Sequence, residues 1–235
     1  SIRFLGNKGQ DFIRLCETPE FLALSEHVFA DAFMVSSISG VIIRGGAQAQ
    51  LLHRDQAVLP FETPRPVLMN IMVALGPYTE EMGATLFAPG THRGPGPRYS
   101  AGPDGAIGVE GDVRTFPAEM QAGDACLFDS RVWHGQGPSR SSEPRLSISL
   151  IYCAHWWKPH ENYVATLSDD VYRGMSEAQR ALFGFQMIRF GTGFVAPRTA
   201  EDPRHNIGTE LPYVPELHRD GPLRAHPVNG EVEVW

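Results

Sequence analysis

Residues 50 to 56, Gln-Leu-Leu-His-Arg-Asp-Gln, place an imidazole and a carboxylate two positions apart, at His53 and Asp55. In extended backbone, residues i and i+2 project to one side, so these two side chains share a face while Leu52 and Arg54 point away. Such a pair serves a metal, a proton relay or a buried hydrogen bond, and partners elsewhere must decide which. One candidate partner is His134, at the end of the apolar run in GDACLFDSRVWHGQG. A second is Arg145, which opens PRLSISLIYC. In that strand Leu146, Ile148, Leu150 and Tyr152 form one face, and Arg145, Ser147 and Ser149 the other. If the apolar face packs against helices, Arg145 turns inward, where a permanently charged guanidinium demands an anion. Two histidines, one aspartate and an inward arginine are the parts needed for iron(II) chemistry with an α-keto acid. Two imidazoles and one carboxylate on one side of a metal leave three positions open. A structural zinc site would want four protein ligands, commonly with Cys, and no fourth ligand is apparent near these motifs.

The elements that must position these residues are mostly β. From Phe33 to about Ser149 the chain reads as short strand-like runs punctuated by Gly and Pro: MVSSISGVII, LMNIMVAL, GATLFAP, DACLFDS and RLSISLIYC. This density of strands predicts a sandwich or barrel rather than a βαβ repeat. Residues 8 to 30 carry helical periodicity at Phe12, Leu15, Phe21, Leu24 and Val28, broken at Pro19. Ser176 is an N-cap for a short helix that Gly184 stops. The Gly/Pro-rich segment from Arg93 to Gly111 has no periodicity, which predicts a functional or mobile loop. The tail from Ala196 onward is Pro-rich and polar, and is expected to wrap the surface.

Composition narrows the function class. The 235 residues are 42% hydrophobic and 20% charged, an ordinary globular balance. A net charge of −7, with no Lys/Arg cluster, argues against a nucleic-acid partner. No apolar stretch approaches the roughly 20 residues of a membrane span. Cys16, Cys126 and Cys153 lack metal-site spacing and form an odd set, which favours a reducing, cytoplasmic setting over a disulfide framework, with Cys126 and Cys153 read as buried thiols in strand-like runs. The chain starts at Ser1, so a preceding piece is expected to be missing.

Four blocks together resemble one family. QLLHRDQ, ALGPYTEEMGATLFAPGTHRG, AEMQAGDACLFDSRVWHGQG and PRLSISL occur in the order and at the spacing of the phytanoyl-CoA dioxygenase-like (PhyH) branch of the iron(II)/2-oxoglutarate-dependent oxygenases. The sequence is most similar to fungal and bacterial members that tailor natural products such as meroterpenoids and indole or quinolone alkaloids. The resemblance covers roughly residues 33 to 157. It implies a double-stranded β-helix, the jelly-roll or cupin-like barrel, with flanking helices. The chain would then be one domain, with an N-terminal helical part (1–32), a barrel core (33–157) and a C-terminal helix and tail (158–235).

The resemblance further implies that His53, Asp55 and His134 bind iron and that Arg145 clamps the distal carboxylate of 2-oxoglutarate. Gln50 and Thr85 match positions that help hold this cosubstrate. Ser147, on the Arg145 face, is a candidate hydroxyl for the same carboxylate, and Asn70 is placed facing the cosubstrate. Gln50 has the wrong parity for the His53 side of a regular strand, which predicts a bulge or bend between them. The implied reaction consumes O2, with ascorbate stimulatory, and oxidises an unactivated C–H bond of a largely apolar small molecule of secondary metabolism, releasing succinate and CO2. Candidate substrate contacts are Phe61, Tyr78, Phe87, Met120, Trp156 and Trp157, each with core packing as the alternative. His155 and His160 read as rim or surface residues and His92 as a turn residue. A homodimer is expected from the resemblance. The segment Gly76-Pro77-Tyr78 departs from the family pattern, and the family's N-terminal portion is expected to be short or absent. The residues leave two alternatives open: a zinc- or manganese-dependent cupin-like isomerase or hydrolase, and a non-catalytic barrel that binds a small molecule.

Overall fold

The computed structural model describes residues 1–59 and 61–186, with the backbone pairing of Pro227–Val228 and Glu231–Val232. The tail predicted to wrap the surface lies otherwise outside these residues. Packing divides the chain into two units: Ser1–Leu5 with Ile38–Ile151, and Gly6–Ser37 with the chain from Tyr152 onward.

The second unit holds the helices. The predicted break at Pro19 separates α1 (Gln10–Leu15) from α2 (Pro19–Phe29), and Pro19 occupies the first turn of α2, where its missing N–H costs nothing. Phe21, Leu22, Ser25 and Phe29 form the buried side of α2. Phe29 stacks on Phe33, which meets Tyr152 edge-on at 5.4 Å. The Tyr152 hydroxyl donates to the Cys16 carbonyl just beyond α1. Cys16 and Cys153 are buried, and burial pushes the Cys153 thiol up to about 12, so it stays protonated and inert. Three short helices follow: α3 (Tyr163–Thr166), α4 (Asp169–Gly174) and α5 (Glu177–Leu182). Ser176 caps α5 as expected, in a reciprocal capping box with Gln179. No helix among the described residues is long and apolar enough to cross a membrane.

The first unit holds the strands, and the fold is mainly β with antiparallel sheets. Strands β1 (Phe33–Ile43) and β9 (Arg145–Ala154) run on from one unit into the other, and with β2 (Leu68–Ala74) and β7 (Ala125–Asp129) they form a sheet of order β1-β9-β2-β7. A second sheet, order β6-β3-β8, joins Phe116–Pro117, Thr85–Ala88 and Trp133–Gln136. Among the described residues these strands lie in separate sheets rather than one closed barrel. Two local expectations change. In the 93–111 segment, β4 (Tyr99–Ala101) pairs with β5 (Ile107–Val109) as a hairpin, because Pro103-Asp104-Gly105 supplies turn chemistry and Asp104 Oδ1 accepts the Ala106 N–H. On β9 the apolar alternation buries Ile148, Leu150 and Tyr152, but Leu146, at the strand's start, is 40% exposed.

Candidate metal centre

All residues of the site lie in the first unit. His53 and Asp55 are brought together by one extended residue, Arg54 (φ −114°, ψ 132°), after which the chain tightens into a 3-10 turn over Asp55–Val58. The shared face predicted for a strand therefore survives, although only His53 pairs in ladder fashion. Its N–H donates to the His134 carbonyl at 2.8 Å, and the His134 N–H returns the bond at 2.9 Å. Arg54 points the other way and is buried, donating to the carbonyls of Arg131, Thr91 and Gly94 and to the Glu62 carboxylate. These bonds fix the loop that carries the two candidate ligands.

A bulge sits where parity requires one. Gln50 N–H bonds the Gln136 carbonyl and His53 bonds His134, so three residue steps on one side oppose two on the other. The Gln136 N–H, displaced from a ladder partner, bonds the Gln50 side-chain Oε1 at 3.0 Å. Gly135 lies under the bulge: a Cβ there would stand 3.1 Å from the Gln50 carbonyl oxygen and 3.2 Å from that of Leu51. Both are backbone atoms and cannot swing aside. Gly135→Ala is expected to lose roughly 1–3 kcal/mol of unfolding free energy by overpacking, measured by denaturant titration, whereas an unchanged midpoint would show that the bulge yields freely.

His53, Asp55 and His134 each offer a ligand atom, and these lie within 4.8 Å of one another. His53 Nε2 is 3.4 Å from Asp55 Oδ1, and His134 Nε2 is 3.5 Å from Asp55 Oδ2. Each imidazole places Nδ1 2.9 Å from the carbonyl two residues earlier, Leu51 for His53 and Val132 for His134. A carbonyl only accepts, so both rings carry a proton on Nδ1 and turn Nε2 toward the carboxylate, to which Nε2 donates when it is protonated as well. The hydrogen bond to Asp55 raises the His53 pKa, against the opposing effect of burial. For Asp55, burial alone would raise the pKa, but hydrogen bonds from His134 and His53 outweigh it and hold the carboxyl well below the usual range. Phe87 and Phe128 pack on the His134 ring, with centroids 6.0 and 4.7 Å away. Asn70 donates to Asp55 Oδ2 at 2.7 Å.

A second cluster gathers around Arg145, which is 2% exposed. Its guanidinium lies 4.1 Å above the Tyr78 ring and donates to the Gly83 carbonyl. No carboxylate among the described residues pairs with it, and burial pulls its pKa down. The Arg145 Nε and the Ser147 hydroxyl are both buried without a hydrogen-bond partner. The Tyr78 hydroxyl shares a 2.7 Å hydrogen bond with Thr85 Oγ1. Register ties the two clusters together: Phe87 opposes His134 and Thr85 opposes Gln136 on β3 and β8. Thr85 therefore shares the His134 face, about 7 Å further along the strand. Gly83 adopts φ +78°, and a Cβ there would stand 2.7 Å from the Gly137 carbonyl oxygen, so glycine is needed where the chain offers its carbonyl to Arg145.

The remaining sequence candidates are scattered. Tyr78 and Met120 are buried together in a small core with Ala74 and Ala84. Phe61 is 61% exposed, and Trp156 and Trp157 belong to the other unit. The Gln50 side chain is engaged at the bulge, and Asn70 bonds Asp55. Sequence reasoning missed Phe128 and Arg54. The Arg54 position was readable from its parity opposite His53 and Asp55, whereas Phe128 shows its importance only once the fold packs its ring on His134. A separate cavity of about 510 Å³, lined by Glu62–Pro64, His92–Pro95 and Arg131, includes none of the cluster.

Comparison with known proteins places this geometry. The chain is 30% identical over 187 residues to the multifunctional dioxygenase ausE of Penicillium brasilianum, covering 73% of this chain and 60% of the relative. It is 29% identical over 187 residues, with the same coverage, to the multifunctional dioxygenase prhA of the same organism. The chain thus spans about 60% of the length of these two relatives. Among solved structures, the epimerase SnoN in complex with Fe3+, alpha ketoglutarate and nogalamycin RO superposes with a TM-score of 0.54 at 22% identity, over 66% of this chain and 62% of that one. EctD from S. alaskensis with bound Fe gives 0.53 at 17% identity, over 68% and 59%. At such identities the likeness is one of fold. The phytanoyl-CoA dioxygenase (PhyH) family profile matches residues 8–147, more than half of the chain and all of the His-Asp-His cluster, and the chain belongs to that family.

Proposed function

We propose that this chain is an iron(II)- and 2-oxoglutarate-dependent oxygenase that oxidises an unactivated C–H bond of a largely apolar small molecule. His53, Asp55 and His134 would hold the iron, and Arg145 and Ser147 the distal carboxylate of 2-oxoglutarate, with Thr85 beside them. One observation carries this reading: an arginine that is almost fully buried has no carboxylate among the described residues, and its Nε and the nearby-in-sequence Ser147 hydroxyl lack partners. A buried cation without an anion is costly, and a ligand carboxylate removes that cost. The donor set fits as well, since two imidazoles with Nε2 turned inward and one carboxylate suit iron(II) and leave positions for a bidentate keto acid. When bound, iron and 2-oxoglutarate supply the oxidising chemistry, consuming O2 and releasing succinate and CO2.

The chain's own contribution is position. The Leu51 and Val132 carbonyls keep both imidazoles turned for ligation, and Phe87 and Phe128 cover His134 with apolar surface. Arg145, lying on Tyr78 and tied to Gly83, presents a fixed fork for a carboxylate. A metal-dependent isomerase or hydrolase on the same cluster would have no use for this arginine. The reading is supported further by the relatives ausE and prhA, both named as multifunctional dioxygenases. The expected result is that purified protein given iron(II), 2-oxoglutarate, ascorbate and O2 releases succinate slowly, and faster with an apolar natural-product substrate. Absence of succinate across a wide substrate panel would overturn the proposal.

A further inference from the structure

We propose that Asn70 is a positioning residue for the metal site: it holds one oxygen of the Asp55 carboxylate so that the group ligates through the other. The proposal rests on the metal-site reading above. The Asn70 amide nitrogen donates to Asp55 Oδ2 at 2.7 Å and to Ser130 Oγ at 2.9 Å, so both of its bonds go to side chains. An ionised carboxylate only accepts, which determines that the amide nitrogen, not its oxygen, faces Asp55. Asn70 is 3% exposed and Ser130 0% exposed, so neither group exchanges its partner readily for water.

The two partners differ in stiffness. Asp55 opens a 3-10 turn, whereas Asn70 sits in β2, directly opposite Phe128 of β7, whose ring packs on His134. The amide thus ties a loop carboxylate to a strand that also backs a second ligand. Its chemical consequence concerns ligand count. A carboxylate that swings to bind through both oxygens takes two positions on a metal, and with two imidazoles leaves only two. One oxygen held by Asn70 leaves Asp55 Oδ1, on the His53 side, as the single ligand atom and keeps three positions open.

The test uses cobalt(II) alone as the probe, titrated into metal-free wild type, Asp55→Ala, Asn70→Ala, Asn70→Asp and Ser130→Ala. Readouts are cobalt affinity, the visible spectrum of the bound ion, which reports coordination, and the melting midpoint of the metal-free protein. Asn70→Ala and Asn70→Asp are expected to weaken cobalt binding about 10- to 100-fold and to alter the spectrum. Ser130→Ala keeps the bond to Asp55 and is expected to stay within about threefold of wild type, since it leaves the positioning contact intact. Asn70→Asp preserves volume and reports even if the alanine variant does not fold. Wild-type affinity and spectrum in both Asn70 variants, loss of folding in both, or equal weakening by Ser130→Ala would each overturn the role. If wild type and Asp55→Ala bind cobalt equally, the metal-site reading itself fails. If Asp55→Ala loses binding while Asn70→Asp does not, only the role of Asn70 falls.

Discussion

Asp55→Ala is expected to abolish succinate release and to weaken iron(II) or cobalt(II) binding by more than the roughly 10- to 100-fold that loss of a supporting hydrogen bond costs. The carboxylate faces both imidazoles, at 3.4 and 3.5 Å, and provides the only charged donor of the cluster. Its removal leaves two neutral imidazoles, a set that holds a divalent ion poorly. Folding should suffer little by comparison. The Asp55 side chain is 27% exposed, and after truncation Asn70 keeps its bond to Ser130 while the imidazoles keep their Nδ1 bonds to backbone carbonyls. The net loss of its hydrogen bonds is expected to be about 1–2 kcal/mol. Isothermal titration with the metal, beside a denaturation curve of the metal-free variant, separates the two effects. Unchanged metal affinity would remove Asp55 from the ligand set.

Arg145→Ala is expected to raise the 2-oxoglutarate concentration needed for half-maximal turnover by about 30-fold or more, corresponding to the roughly 2–5 kcal/mol lost when one partner of a buried charge pair is truncated. Arg145→Lys should recover only part of this, because an ammonium cannot reproduce the planar fork. The structure separates Arg145 from Arg131, Arg98 and Arg140. Arg131 is already paired with Asp129 at 2.6 Å and bonds the Thr63 carbonyl, and Arg98 and Arg140 are exposed. Among the described residues, only Arg145 combines burial with an orphaned guanidinium nitrogen. The measurement is succinate formation against cosubstrate concentration at saturating iron. An unchanged requirement would exclude Arg145 as the carboxylate clamp.

Legibility differed sharply from residue to residue. His53 and Asp55 stood out because spacing of two in extended backbone guarantees a shared side, and one residue in β geometry, Arg54, is enough to satisfy it. The break at Pro19 and the cap at Ser176 were readable for the same reason: each depends on a few neighbouring dihedrals and one side chain. The bulge was readable as a parity conflict at Gln50. Its consequence was not, because the Gln50 amide oxygen is consumed by the Gln136 N–H that the bulge displaces. Tyr78 was readable as either a substrate contact or a core residue, and its place as the buried platform beneath Arg145 is a contact between residues 67 positions apart in the chain.

By itself the sequence determined the chemical inventory and the local geometry: two histidines, an aspartate two residues beyond one of them, an arginine on the polar side of an apolar strand, and helix ends set by proline and capping serine. These follow from covalent spacing and backbone dihedrals, which act over a few residues. Only the tertiary structure decided which side chains stand behind that inventory. Asn70 comes to Asp55, Phe128 to His134, and Tyr78 and Gly83 to Arg145 through strand register and the packing of loops. Register is a property of pairs of distant segments, and moving a strand by a single residue turns its side chains to the opposite face.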